Sequence, residues 1–373
     1  MPSSLEKIDH VPIQSIQIET TSRCTLDCIS CLKSVYKKSW QEREMDAPLF
    51  SRILAQVRHE KPAVHLQGWG EPLGQDDFLS FVRQVKKADM SASFTTNGTV
   101  MTENLAESLM ATGFDGITFS MAGACSLTQD KLRGVGTFER LCKAITTFAS
   151  VRARYHGSGT RIAVNYLLTP QSVKELPKAV SWCRRVGVDT FATVNLSQVS
   201  SRVQQTLAFI PSKKESNQYR FLRIRTNMSA LFARMELKMR PFYPRLLPVC
   251  NKDPLNNLFI SATGDVSPCV FLAPPVKNGI VWRWEGLAVW QKNFVMGNVN
   301  NLPLKEIWTS KKAEMFREKF KKRKAYYDER LARVSFSMSG SVELETAIGE
   351  IKKYFSSHPP PEQCLACAQL YGY

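Results

Sequence analysis

Ile18-Glu19-Thr20-Thr21-Ser22-Arg23-Cys24-Thr25-Leu26-Asp27-Cys28-Ile29-Ser30-Cys31 places three cysteines within eight residues, spaced Cys-x3-Cys-x2-Cys. They directly follow an alternating apolar/polar run, Ser15–Thr20, which predicts a strand. Three thiolates this close suit three corners of an iron–sulfur cubane and leave one iron without a protein ligand. Zinc is the alternative, although structural zinc takes four ligands, usually from paired Cys-x2-Cys units. A disulfide role is disfavoured, because the N-terminus lacks the basic, apolar, small-residue order of a secretion signal.

Further strand patterns follow at Ala63–Gln67, Ala92–Thr96, Gly116–Ser120, Arg161–Leu168 and Thr190–Leu196. Between them lie helical stripes. Asp46 is placed to cap a helix bearing Leu49, Ile53, Leu54 and Val57. Thr102 precedes Leu105, Leu109 and Met110. Ser172 and Glu175 have the spacing of a capping box before Leu176, Val180 and Cys183. Regular alternation predicts a parallel sheet with crossover helices, and six units predict an open α/β barrel over residues 13–200. The unusual segments Cys24–Cys31, Gly68-Trp69-Gly70-Glu71-Pro72-Leu73, Thr95-Thr96-Asn97-Gly98 and Ser120-Met121-Ala122-Gly123 then fall at strand C-terminal ends, the active-site face of such barrels.

The 373 residues suffice for two domains, with a formal net charge of +17. Ten cysteines and no secretion signal favour metal binding over cross-linking. With no apolar run near the ~20 residues that cross a bilayer, the expectation is a cytoplasmic protein. The positive charge is concentrated: residues 201–250 carry ten Lys/Arg against two acidic residues, and residues 311–335 carry ten against four. Solvated helix faces account for such runs; an acidic partner, whether peptide, phosphate, nucleic acid or membrane, is the functional reading.

Residues 1–12 read as a tail and residues 201–249 as a basic connector with a bridging helix around Met228–Met239. From residue 250 the character changes. Leu258–Ala262 and Val266–Val270 predict a hairpin around Thr263-Gly264-Asp265, flanked by Cys250 and Cys269. Cys364 and Cys367 follow a run of three prolines, which stops the preceding helix. Four cysteines in two groups also suit tetrahedral zinc. Cys142 and Cys183 lie on apolar stripes, and Cys125 follows the fourth strand; all three read as packing residues.

Taken together, these motifs resemble the radical S-adenosylmethionine (SAM) superfamily, in its SPASM/twitch-type subfamily with one auxiliary [4Fe–4S] cluster. The resemblance rests on the first three cysteines, on Gly70-Glu71-Pro72, on the second cysteine set, and on Met296-Gly297-Asn298-Val299 with Leu304-Lys305-Glu306-Ile307-Trp308. It implies a partial (β/α)6 TIM-like barrel followed, over residues 250–373, by an auxiliary-cluster domain of β-hairpin plus helix. It also implies that Cys24, Cys28 and Cys31 bind a [4Fe–4S] cluster. Gly70, Glu71, Ser120, Arg133 and Asn165 then contact SAM, while Cys250, Cys269, Cys364 and Cys367 hold a second [4Fe–4S] cluster. Trp69 replaces the usual first glycine of the Gly-Gly-Glu-Pro motif, and Ser30 replaces the usual aromatic residue or His before the last cysteine.

The activity implied is reductive cleavage of SAM to a 5′-deoxyadenosyl radical that abstracts a substrate hydrogen, with the auxiliary cluster accepting an electron. Oxidative maturation of a peptide or protein is the expected outcome; dehydrogenation of an amino sugar or alcohol is the alternative. An electron donor such as flavodoxin or ferredoxin is implied. A zinc-containing nucleic-acid-binding protein fits the charge and the Cys-x2-Cys pair, but leaves unexplained why Gly70-Glu71-Pro72 and Cys24–Cys31 converge on one face.

Overall fold

The computed structural model describes residues 12–230, 235–284, 286–334 and 340–372. Twelve strands are formed among them. They are β1 Ser15–Ile18, β2 Ala63–Leu66, β3 Ala92–Thr96, β4 Gly116–Met121, β5 Arg161–Leu168, β6 Thr190–Asn195, β7 Glu236–Lys238, β8 Asn257–Ile260, β9 Asp265–Ser267, β10 Ile280–Trp284, β11 Leu287–Gln291 and β12 Gly297–Asn298. Ten of these make one open sheet in the order β12-β9-β8-β1-β2-β3-β4-β5-β6-β7, and β10–β11 is a separate hairpin. Strands β1 to β6 pair in sequence order, all parallel. The six strand patterns of the sequence thus become the partial barrel.

Burial explains the curvature. Along β4 and β6 every second residue is buried, so Ile117, Phe119, Met121 and Phe191 face the helices. The covering helices present Leu49, Phe50, Ile53, Leu54 and Val57 from Ala47–Val57, and Leu141, Ala144, Ile145, Phe148 and Val151 from Thr137–Arg154. Each fully buried side chain of this size contributes about 1.5–3 kcal/mol relative to exposure. Helix starts follow the expected chemistry: Asp46 and Thr102 accept the amides of Leu49 and Leu105. The Ser172/Glu175 capping box does not form. Ser172 instead donates to the Leu167 carbonyl, and Glu175 reaches across to the Ala124 amide and the Thr128 hydroxyl.

Two pairings extend the barrel sheet. The helix expected around Met228–Met239 lies earlier, at Arg220–Ala230, and Glu236–Lys238 is instead a strand, β7, parallel to β6; residues 231–234 lie outside those described. At the other edge β8 runs parallel to β1, with Ser15 opposite Asn257 and Ile18 opposite Ile260. The hairpin β8–β9 is therefore continuous with the barrel sheet. Its turn needs Gly264, at φ +86°, and is tied down by Asn298, whose amide donates to the Thr263 carbonyl and Asp265 Oδ1 at 2.9 Å each.

The basic helix Lys311–Ala332 exposes Lys319, Lys321, Lys322 and Lys324, but Arg317 and Arg323 are buried. Arg323 donates to the carbonyls of Leu247, Pro248 and His358 and lies 3.6 Å from the Phe355 ring centroid. Among the described residues no helix is long and apolar enough to cross a membrane.

Candidate active site

The loop after β1 is pinned on several sides. Gln204 donates its amide to the carbonyls of Ile29 and Cys31, Lys33 Nζ to the Cys24 carbonyl, and the Ile29 amide to the Leu132 carbonyl. The loop after β2 packs on it so closely that a Cβ at Gly70 would collide with the carbonyl oxygens of Thr21 and Arg23. The Gly70 and Glu71 amides bond those same two carbonyls. Gly70 is thus a close-approach glycine that joins the two loops.

These loops frame a cavity of about 360 Å³. All eight residues expected near one another from the sequence line it: Cys24, Cys28, Cys31, Gly70, Glu71, Ser120, Arg133 and Asn165. Ser120 and Asn165 are register partners on β4 and β5. Glu71 is already engaged. Its Oε1 accepts from the Thr96 hydroxyl at 2.7 Å and the Leu73 amide at 3.2 Å, and its Oε2 accepts from the Asn97 amide at 2.7 Å. Burial pushes its pKa up to about 7, against the lowering effect of those hydrogen bonds. Ser30 also lines the cavity.

The Cys31 thiol is pushed up to about 12, mainly by burial. Arg133 lies near enough to favour ionisation of both Cys31 and Glu71, and its Nε is buried without a hydrogen-bond partner. The Asn97 amide nitrogen stands 3.8 Å from Cys24 Sγ.

The second set does not line the cavity but comes together beside it. Cys250, Cys269 and Cys364 share one apolar cluster with Leu272, Phe316 and Phe320. Burial raises all four thiols, Cys269 to about 12, and each of Cys269, Cys364 and Cys367 is raised further by neighbours in the set. A second apolar cluster joins Leu32, one residue after Cys31, to Cys367 through Trp282 and Trp284. Among the described residues no three His, Cys, Asp or Glu side chains close on one point as a single-ion cage would require. A cubane binds each thiolate to a different iron and so spreads its ligands. Buried soft donors that ionise only with a compensating cation fit such a group.

Cys125 is not in the cavity lining; its thiol points to Thr128 and Glu175. Cys183 is in the core, and Cys142 is held high by burial, at about 11. The lining also contains Asn97, from the strand-end segment Thr95-Thr96-Asn97-Gly98 read from the sequence, and residues not singled out there, including Asn195, Arg240, Lys252, Phe271 and Gln369. Of these, Lys252 and Gln369, each two residues after an auxiliary cysteine, carried a local signal. His65, beneath the cavity, bonds Ser93 and Gln67, and burial lowers it to about 4, so it is neutral.

Comparison with known proteins agrees with this geometry. The radical SAM superfamily matches residues 18–183, and the SPASM iron–sulfur cluster-binding domain matches residues 250–329. The tungsten-containing aldehyde ferredoxin oxidoreductase cofactor-modifying protein of Pyrococcus furiosus is 26% identical over 310 residues, 81% of this chain and 82% of that protein. Mycofactocin maturase MftC of Mycobacterium tuberculosis is 27% identical over 169 residues, 45% of this chain and 41% of that one. The structure of Streptococcus suis SuiB bound to S-adenosylmethionine superposes with a TM-score of 0.61 at 19% identity, over 82% of this chain and 68% of that chain. With both domains matched in this order, the chain belongs to the radical SAM superfamily, as an enzyme carrying a SPASM-type iron–sulfur domain.

Proposed function

We propose that this enzyme oxidatively modifies a peptide or protein substrate, using SAM at a cluster held by Cys24, Cys28 and Cys31 and an auxiliary cluster held by Cys250, Cys269, Cys364 and Cys367. Membership in the superfamily implies clusters of the [4Fe–4S] type and SAM binding. Bound there, these groups would supply the one-electron reductive chemistry and hydrogen-atom abstraction that the superfamily uses. The protein's own part is to hold, orient and shield. Cys24, Cys28 and Cys31 present thiols to one cavity, Arg133 offers its guanidinium beside Cys31, and Ser120 and Asn165 offer polar groups from adjacent strands. Trp69, edge-on to Trp40 and Phe271, walls the cavity against water.

The observation that carries this reading is one cavity lined by the first cysteine set, with the second set gathered at its side. The peptide substrate is supported by the name of MftC, a maturase. A small-molecule substrate is the second reading, favoured by the longer match to a cofactor-modifying protein. A cytoplasmic location and a flavodoxin- or ferredoxin-like donor, meeting the exposed lysines of Lys311–Ala332, complete the proposal.

Anaerobic reconstitution with iron and sulfide counting tests it. About eight irons are expected, falling by half both in the Cys24/Cys28/Cys31→Ala variant and in the Cys364/Cys367→Ala variant. Loss of 5′-deoxyadenosine formation is expected only in the former. Zinc in place of iron, with no SAM cleavage, refutes the assignment.

A further inference from the structure

The helix Arg220–Ala230 lies on the outer wall of the barrel, packed along the helix Leu176–Arg185 and against β7. Its inward side is occupied. Thr226 and Ala230 are buried, and Leu222 packs on the same core that Trp182 of the neighbouring helix reaches. Its outward side is apolar as well. Phe221, Ile224 and Met228 are 77%, 48% and 64% exposed. Their spacing, i, i+3, i+7, places all three on one stripe of the helix. Exposed apolar residues scattered singly are ordinary on a protein surface, but a stripe of three large ones marks a contact surface.

The charge around the stripe has one sign. Arg220 and Arg225 are exposed on the same helix, and Lys178, Arg184 and Arg185 on the helix beside it. Among the described residues none of these five forms an ion pair. The two acidic residues of the segment 201–250 are engaged elsewhere: Glu215 closes a capping box with Ser212, and Glu236 pairs with Lys238 at 3.2 Å. A solvated helix face accounts for cations alone. It does not account for Phe, Ile and Met among them.

The form of the surface decides the partner. Exposures this high mean that the stripe projects from the barrel as a ridge. A folded protein needs a groove cut to fit a ridge, whereas a fluid bilayer closes around one of any shape. The five cations are held in no fixed ion-pair geometry, and a layer of anionic headgroups requires none. Long Arg and Lys stems reach headgroups while apolar tips beside them sink below, the arrangement of interfacial amphipathic helices.

We propose that the Arg220–Ala230 face docks this enzyme reversibly on an anionic phospholipid surface. Phe221, Ile224 and Met228 enter the boundary between headgroups and acyl chains; Arg220, Arg225, Lys178, Arg184 and Arg185 meet the lipid anions. The stripe lies on the barrel's side, so docking leaves the cavity mouth free. None of these residues lines the cavity, and the inference does not depend on the reaction proposed above.

The test is co-sedimentation of the reconstituted full chain with vesicles of phosphatidylcholine alone and of phosphatidylcholine with one-third phosphatidylserine. Binding to the second and little to the first is expected, weakening as salt is raised. The Arg220→Gln/Arg225→Gln variant should bind about tenfold or more weakly, at roughly fivefold per cation near such a surface. Phe221→Ser/Met228→Ser should weaken binding as much with no change in charge. Arg225→Lys should retain it. Lys319→Gln/Lys321→Gln, an equal loss of exposed charge on Lys311–Ala332, should leave it unchanged. All the substituted side chains are exposed or half-exposed, and full iron content with parental thermal unfolding is the check that each variant folds. SAM cleavage without lipid should be the same in every variant. Absence of binding to the phosphatidylserine vesicles overturns the proposal, and so does equal binding to the neutral ones. Equal weakening by Lys319→Gln/Lys321→Gln also overturns it, by assigning the adsorption to net charge. So does sedimentation equilibrium without lipid that shows a dimer split by Phe221→Ser/Met228→Ser, which makes the stripe a contact between copies of the chain.

Discussion

Glu71 accepts the backbone amide of Asn97 at 2.7 Å, and the side-chain amide of that same Asn97 reaches Cys24 Sγ at 3.8 Å. The carboxylate therefore acts through the end of β3 on the cysteine loop, and its remaining acceptor capacity is small. Glu71→Gln keeps the shape but turns an NH₂ toward donors. Thermal unfolding should show a loss of about 1–3 kcal/mol, the cost of one unsatisfied buried donor pair. A variant as stable as the parent would show that the three hydrogen bonds do not brace the loop.

The same carboxylate gives a pH signature. Its folded pKa, about 7, lies above the ordinary 4.5 because burial disfavours the anion. The folded state then holds a proton that the unfolded chain has released. Its stabilising contribution is complete below pH 4.5 and is lost as pH rises toward and through 7. At about 1.4 kcal/mol per unit, the swing is on the order of 2–4 kcal/mol. Urea unfolding of cluster-free protein at pH 5 and pH 8 should show the parent losing more stability than Glu71→Gln over that interval. Parallel curves would contradict the assignment.

Gly70→Ala tests the close approach of the two loops. Its Cβ would collide with the Thr21 and Arg23 carbonyls, which cannot swing away as a side chain tip can. Overpacking of this kind costs about 1–3 kcal/mol. The expected result is loss of about half the iron, with the auxiliary set still loaded. Full iron and unchanged SAM cleavage would mean that the loops part without cost.

The barrel was legible because most of its six strands alternate and are followed by striped helices, two of them capped as expected by Asp46 and Thr102. Local signals of that kind survive folding. The parallel seat of β8 on β1 was not legible, since the partner of a strand is not written in its own residues. Strand β7 is three residues long, with charges at Glu236 and Lys238, and carries no pattern to read. Glu175 misled because its spacing from Ser172 is that of a cap, while tertiary partners at Ala124 and Thr128 hold it instead. The motif residues were legible as a set. Asn195 and Arg240 were not, because single polar residues acquire meaning only when separate segments meet.

Arg323 links the two arms that carry the auxiliary cysteines. It donates to Leu247 and Pro248, just before Cys250, and to His358, six residues before Cys364. Arg323→Met preserves the packing stem but leaves the half-buried carbonyls of Leu247 and Pro248 and that of the exposed His358 without their donor, costing about 1–3 kcal/mol. The auxiliary iron should become labile to chelator while iron on the first set is retained. Equal release from both sets would show that the residue serves general stability alone.

Glu19 supplies the joint between barrel and hairpin. Buried at the end of β1, it accepts the Trp69 amide at 2.9 Å and the Ala262 amide at 3.2 Å, so one carboxylate ties the loop after β2 to the turn after β8. The registers of β2 and β8 on β1 put those two amides within its reach, and a Cβ at Gly68 would strike its side chain. Glu19→Ala removes both acceptors and leaves a void, so a loss of about 2–5 kcal/mol is expected. Glu19→Gln keeps one acceptor and should lose less. Hydrogen exchange separates a local effect from a global one: at the Ala262 amide, protection should fall by more than the loss of global stability requires. If protection at Ala262 falls only in step with that of the Phe94 amide in β3, the carboxylate contributes to the core as a whole and the hairpin is held by its strand pairing.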